Sequence, residues 1–267
     1  MINIILQTIK DKKISIIMYG AGMFLLMLLF TSMYPTILAE ADKFEELFSA
    51  YPESFMQAFG VDDFKFDTIE KFLSVEYYSI MWPIAMIVLM ISLAGAAIAG
   101  EIENGTIEHA LAKPIERWQL FLSKYLGGLI VVLIFTFVSV FTVFPAALIT
   151  GIDVNFKAQV LIFILSMFFS TAVYSLGMMF TTIFSEKGRV SLVMGVSMLI
   201  MYVLSIASKL IEQLEWLQYT SLFYYFDYDK ALVEHAIGAG DLVVFVEIIV
   251  LSLIVSLLWF ERRDITT

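Results

Sequence analysis

Six long runs of hydrophobic residues alternate with polar segments along the chain. Five of these runs contain no charged residue, and the sixth contains only Glu247. A helix needs about 20 apolar residues to cross the hydrocarbon core of a bilayer, so each run is long enough to span it. The pattern therefore predicts an all-α integral membrane protein with a single transmembrane domain over residues 1–267. The predicted spans are residues 14–34, 77–100, 125–150, 158–185, 190–208 and 242–260.

The residues ahead of the first span follow a different pattern. Ile2, Ile5, Leu6 and Ile9 recur at helical spacing, and lysines gather towards Lys13. This arrangement predicts an amphipathic helix that lies on the membrane surface. A cleaved signal peptide is the competing interpretation, but the apolar run that follows is too long and no small-residue cleavage site comes after it.

Composition agrees with a membrane location and excludes several kinds of chemistry. Hydrophobic residues make up 60% of the chain and charged residues 16%, far from the soluble averages of roughly 45–50% and 25%. The absence of cysteine excludes disulfides and thiolate metal sites, and two histidines, His109 and His235, leave little for a zinc site. The net charge of -10 argues against a nucleic-acid partner, which requires a basic face.

The distribution of lysine and arginine predicts the topology, because basic residues near span ends favour the cytoplasmic side. We therefore expect a multi-pass protein of the inner (cytoplasmic) membrane with both termini cytoplasmic and with residues 36–76 and 209–241 external. These external segments then receive most of the acidic residues. We interpret their charge as a solvated surface rather than as an attractor for a cationic substrate. The basic residues placed inside are Lys10, Lys12, Lys13, Lys113, Arg117, Lys124, Lys187, Arg189, Arg262 and Arg263.

The most polar segment inside this topology, residues 101–124, reads EIENGTIEHALAKPIERWQLFLSK. Its Asn104–Gly105 pair is a turn signal, and Thr106 is suited to cap the N-terminus of a helix. Glu108 would lie in the first turn, where the helix dipole favours a carboxylate. Pro114 disfavours helix at the residue before it, but can itself open the next helix. The segment therefore predicts a two-turn cytoplasmic helix from about Thr106 to Ala112.

One face of this predicted helix is apolar, because Ile107, Ala110 and Leu111 share helical spacing. A short helix of this kind at the ends of two spans suits docking into a groove of another protein. An ordinary polar loop that lies against the lipid headgroups is an equally good interpretation of these features alone.

The same segment resembles the signature loop of type-2 ABC transporter permeases, the membrane subunits of bacterial or archaeal ABC exporters with a type V exporter-like fold. A second stretch, YTSLFYYFDYDKAL, is similar to that family's aromatic segment on external helices, although Leu222 stands where the family often has proline. Six spans and the N-terminal surface helix agree with the resemblance over the whole chain. The matching positions in the loop are Glu101, Gly105, Thr106, Pro114, Ile115, Arg117 and Lys124.

The resemblance implies that the polar segment is a coupling helix, which transmits ATP-driven closure of a separate ATP-binding subunit to the spans. No G-x-x-x-x-G-K-[ST] phosphate loop occurs in the sequence, so ATP and magnesium are expected on that partner and no cofactor on this non-catalytic chain. The family also implies a second permease copy, with a homodimer favoured over a heterodimer. The residues expected to couple to the ATPase are Glu101, Gly105, Thr106, Ile107, Glu108, Leu111, Pro114, Arg117 and Lys124.

Glu247 is the remaining candidate site residue, because a carboxylate inside a span usually faces a cavity or a partner. It would line the transport path, or instead have a structural role through a hydrogen bond to a neighbouring helix. The alternative function is an ion-coupled secondary transporter that uses Glu247. A membrane enzyme or a structural protein is a third class, but no cluster of His, Asp or Ser residues at membrane depth supports catalysis. Within the exporter class, the abundant Phe, Leu and Met favour amphipathic or apolar cargo such as a peptide, lipid or drug.

Two further patterns predict packing. Gly95, Gly127 and Gly128 predict close contact between helices. The aromatic cluster at residues 223–228 predicts an interfacial belt rather than a substrate site.

Overall fold

A computed structural model describes residues 2–41, 67–112 and 114–263 of the protein. All regular secondary structure in the described residues is helical, and these residues form no strand, which confirms the all-α fold class. Six helices are long and apolar enough to cross a membrane, as predicted. Most of the acidic segment predicted at 36–76 lies outside the described residues, as do Lys113 and the last four residues.

The helices are numbered here in chain order, with the six spans formed by α2, by α3 with α4, by α7 with α8, and by α9, α10 and α13. A π-helical stretch, Ser74–Met81, joins α3 to α4, and a 3-10 helix, Glu212–Thr220, follows α10. The α-helices are α1 Ile2–Asp11, α2 Lys13–Ala39, α3 Ile69–Leu73, α4 Trp82–Ala97, α5 Ala99–Glu103, α6 Ile107–Leu111, α7 Arg117–Phe141, α8 Val143–Thr150, α9 Phe156–Ile183, α10 Lys187–Leu210, α11 Leu222–Tyr225, α12 Tyr228–Leu232 and α13 Ala239–Arg262.

The second span begins at Ile69, eight residues before the start that hydropathy predicts. The sequence excluded this stretch because it contains Glu70, Lys71 and Glu76. Glu70 is nevertheless buried, because its carboxylate accepts a hydrogen bond from the backbone N–H of Asn155 at 2.7 Å. A carboxylate with such a partner is tolerated where an unpaired one is not.

The third span is longer than predicted at its N-terminal end, because its helix starts at Arg117 rather than near residue 125. At the opposite end, α7 passes into α8 at Thr142. Gly151 ends α8 in the left-handed conformation, with φ of 73°, which glycine adopts without steric cost. The GIDVNFK stretch then leads into the fourth span within a few residues.

The fourth span, α9, is the most buried of the six and lies at the centre of the fold. It packs against α4, α7 and α13, while α2 packs on α7 and α8, and α10 packs on α4. The outward faces of α2, α10 and α13 consist of exposed large apolar side chains. Such faces are those expected of helices that contact lipid or another membrane chain.

The glycines bring helices into close contact, as predicted. A Cβ on Gly127 would lie 3.0 Å from the Cβ of Thr8, so α1 rests directly on the third span. A Cβ on Gly128 would lie 1.9 Å from the hydroxyl oxygen of Tyr174 on the fourth span, which leaves no room for any other residue. Gly95 lies against the side chain of Lys187, at the start of α10.

The aromatic cluster before the last span is not simply an interfacial belt. Phe226 is fully buried, and its ring stacks on Trp82 at 5.3 Å and contacts Phe169 at 4.7 Å between ring centroids. The other aromatic residues of the cluster are half-buried: Phe223, Tyr224, Tyr225 and Tyr228. The aromatic sequence therefore has two roles, since part of it packs into the core between the second and fourth spans.

Candidate coupling site between the second and third spans

The helix α6 is shorter than the sequence predicts, with five residues from Ile107 to Leu111 instead of two full turns. Thr106 precedes it but does not cap it with its side chain, which corrects the prediction. Its backbone is helical, with φ of -80° and ψ of -13°, and its hydroxyl donates to the carbonyl of Glu101 at 3.3 Å. Gly105 makes the turn with φ of 68°, a conformation that favours glycine.

Ile107 occupies a different place from the one predicted. Its side chain is fully buried and belongs to the core of this chain, so it is not presented to a partner as part of an apolar docking ridge. Its burial instead holds α6 against the spans, and α6 contacts α7. The side chain of Leu111 lies outside what the structure describes.

Glu101 and Lys124, at opposite ends of the predicted loop, form an ion pair. The distance between Lys124 Nζ and Glu101 Oε1 is 2.5 Å, and the side chains are 9% and 33% exposed, respectively. The pair joins α5 to the first turns of α7 and thereby closes the loop at its base. The sequence pointed to both residues, but it did not indicate that they contact each other.

Two further contacts fix α5 to other spans. The carboxylate of Glu103 accepts from the backbone N–H of Lys187 at 2.8 Å, at the first residue of the fifth span. The backbone N–H of Ala99 donates to the hydroxyl of Thr181 on the fourth span at 2.9 Å. Sequence analysis missed Glu103 and Thr181, because neither residue carries a spacing signal that relates it to a partner about 80 residues away.

The far end of the loop is organised by Glu116 rather than by Pro114, which is exposed and precedes the helix. Glu116 caps α7 reciprocally with Gln119, whose side chain accepts from the Glu116 N–H at 3.1 Å. Arg117 is the first residue of α7, and its guanidinium donates to the backbone carbonyl of Arg263. The loop is therefore attached to the chain segment that leaves the last span.

A cavity of about 180 Å³ lies between α1 and the base of the loop. It is lined by polar side chains that include Thr8, Asp11 and Lys12, together with the Glu101–Lys124 pair. Burial lowers the pKa of Lys12, the positive charge of Lys187 lowers it further, and Asp11 raises it. The surface helix and the loop thus share one charged cluster.

The tip of the loop, defined here as residues 103–108 without the buried Ile107, is exposed. The tip combines carboxylates at both ends with the Gly105 turn between them. It projects from a base that is attached to four spans, because α5 contacts the second, fourth and fifth spans and the ion pair reaches the third.

Glu247 lies on the exposed face of α13, within a set of exposed valines that includes Val243, Val246 and Val250. Among the described residues it therefore points outwards, and no transport path lined by Glu247 is formed by them. The structure does not join Glu247 to the loop.

The six-span fold with a short anchored helix between the second and third spans is that of a multi-pass membrane protein. A sequence model described as ABC-2 family transporter protein matches residues 5–265. The chain therefore belongs to the ABC-2 family, and it is a membrane permease subunit of an ABC transporter. This confirms the resemblance to type-2 ABC permeases. Members of this family are generally non-catalytic membrane subunits that work with an ABC ATP-binding partner. No curated protein matches the chain.

Proposed function

We propose that this chain is the permease subunit of an ATP-driven exporter, and that a separate ATP-binding subunit docks on the tip of the loop. The observation that carries the proposal is the attachment of the loop base to four spans. ATP and magnesium would bind the partner chain and not this one. Both termini and the loop would face the cytoplasm, in the cytoplasmic (inner) membrane.

The attachment supports transmission of movement because buried and charged contacts hold the loop to the spans. Ile107 is fully buried, and burying an aliphatic side chain of this size contributes about 1.5–3 kcal/mol. The Glu101–Lys124 pair adds a charge-assisted contact at the base of the loop. Docking itself would then rest on the exposed tip and on polar complementarity, rather than on the apolar ridge that the sequence predicts.

The outward faces of α2, α10 and α13 support the remainder of the proposal. Their exposed apolar side chains offer surface for a second permease copy, and we expect a homodimer that encloses a path between its two halves. Because the available faces are built from Leu, Ile, Val, Met and Trp side chains, they favour amphipathic or apolar cargo such as a peptide, lipid or drug.

A charge reversal at the tip tests this function. Glu108 is exposed, so Glu108→Arg leaves the core intact and reverses one docking charge. Exposed ion pairs give up to about 1 kcal/mol each, and a reversal also adds repulsion, so we expect binding of the ATPase to weaken about five- to thirtyfold. Co-purification of the ATPase and ATP-dependent export are measured together.

The matched control is Glu212→Arg, which reverses an exposed carboxylate in the 3-10 helix at the predicted external end. It should leave ATPase recovery unchanged, and Glu108→Gln should give a milder loss than Glu108→Arg. Equal recovery of the ATPase with Glu108→Arg and with the parent protein would rule out docking at the tip.

A further inference from the structure

The end of the last span combines an apolar cavity with two arginines. Val255, Leu258, Trp259, Arg262 and Arg263 line an open surface cavity of about 370 Å³. Val255, Trp259 and Arg262 recur at positions i, i+4 and i+7, so they lie on one face of α13. Each of these three side chains is exposed.

Arg263 is held in place by hydrogen bonds to uncharged partners. Its guanidinium donates to the backbone carbonyls of Thr182 at 2.6 Å and Phe184 at 3.2 Å, and to the hydroxyl of Ser185. These three partners are neutral oxygen atoms at the end of the fourth span. Arg262 is the adjacent, exposed arginine, while Glu261 is exposed about 100° around the helix from it.

We propose that this cavity binds an anionic phospholipid of the leaflet that faces the ATP-binding subunit. Guanidinium groups recognise phosphate by paired hydrogen bonds, and basic pockets at the cytoplasmic ends of spans suit anionic headgroups. Trp259 is suited to the headgroup level, and the apolar wall formed by Val255 and Leu258 receives part of an acyl chain. The choice of leaflet rests on the proposed topology, but the choice of lipid does not.

The lipid site adjoins the coupling loop. The backbone carbonyl of Arg263 accepts from the guanidinium of Arg117, the first residue of α7. A lipid phosphate bound to Arg262 and Arg263 would therefore steady the junction where the last span, the fourth span and the loop meet. The occupant is a lipid rather than a protein, because an apolar wall below a positive rim matches the two parts of a phospholipid.

Native mass spectrometry of the full chain tests the proposal in the absence of any ATPase, so its outcome is independent of docking at the loop tip. The detergent-purified permease is titrated with dioleoylphosphatidylglycerol and, separately, with dioleoylphosphatidylcholine. We expect tighter binding of phosphatidylglycerol. Because one arginine near a membrane surface contributes about 1 kcal/mol, Arg262→Gln should weaken that binding about fivefold and leave phosphatidylcholine unaffected.

The matched control is Arg189→Gln, which neutralises an exposed arginine that pairs with Glu186 at the start of α10. It should retain the parental preference, whereas Trp259→Ala should weaken the binding of both lipids. Equal binding of the two lipids, or unchanged phosphatidylglycerol binding with Arg262→Gln, would overturn the proposal. A change of permease stoichiometry with Trp259→Ala would overturn it too, by assigning the cavity to a second copy.

Discussion

At the scale of single residues, the two members of the Glu101–Lys124 pair are unequally exposed, so removing one costs more than removing the other. Lys124 is almost enclosed, with 9% of its side chain exposed, whereas a third of Glu101 reaches solvent. Loss of the carboxylate would leave a buried ammonium without its partner, while loss of the ammonium would leave a carboxylate that water can still solvate. Removing one partner of a buried pair is the costly change.

We therefore expect Glu101→Gln to destabilise the protein by about 1–3 kcal/mol and Lys124→Met by distinctly less. The double variant should resemble Lys124→Met alone, because it leaves no buried charge. Thermal unfolding of the purified proteins in one detergent measures all three. A larger loss for Lys124→Met than for Glu101→Gln would contradict this account of the pair.

The residue scale is also where sequence reasoning was least complete. Spacing placed Ile107 on an apolar face, but it could not indicate whether that face turns towards the chain's own core or towards a partner. The contacts of Glu103 and Arg117 depend on the relative positions of distant spans, so no local pattern contains them. Because Ile107 is buried, Ile107→Asp would disrupt packing and would not report on docking.

At the scale of elements, the contact between the third and fourth spans depends on one missing side chain. A Cβ on Gly128 would lie 1.9 Å from Tyr174 Oη and 2.6 Å from its Cζ, so the buried Tyr174 side chain or one of the two helices would have to move. We expect Gly128→Ala to lower stability by about 1–3 kcal/mol, the usual cost of an overpacked core. Thermal unfolding and the yield of folded protein measure the effect.

Gly195→Ala is the control, because a Cβ at Gly195 would meet nothing within 4 Å and the residue lies inside α10. Alanine is the better helix former by up to about 1 kcal/mol, so this variant should be neutral or slightly stabilised. If the two alanine variants unfold at the same temperature, close packing at Gly128 does not hold the spans together.

Elements were the scale at which the sequence was most informative. Hydropathy alone predicts six spans, because each must satisfy the same requirement for about 20 apolar residues. Their ends are less predictable, since Glu70 extends the second span through a hydrogen bond to Asn155 that hydropathy does not represent. The fully buried Phe226 was missed for a similar reason, because aromatic residues serve both interfaces and cores.

At the scale of the whole molecule, family membership, the anchored loop and the distribution of basic residues support one arrangement. In the arrangement we propose, the tip would face the cytoplasm, where the ATP-binding subunit would lie, and the 3-10 helix at residues 212–220 would face the opposite side. The exposed faces of α2, α10 and α13 are left for lipid and for a second permease copy. The arrangement makes the tip the place where a cytoplasmic ATPase can act on four spans together.

Cysteine cross-linking from the tip tests this claim most directly, because the chain contains no native cysteine. Glu108→Cys places a thiol on the exposed tip, and Tyr219→Cys places one on the exposed 3-10 helix. Each variant is treated in sealed membranes with a short thiol-to-amine cross-linker in the presence of the ATPase. The account predicts an ATP-sensitive permease–ATPase product with Glu108→Cys and none with Tyr219→Cys; a product from Tyr219→Cys, with none from Glu108→Cys, would contradict it.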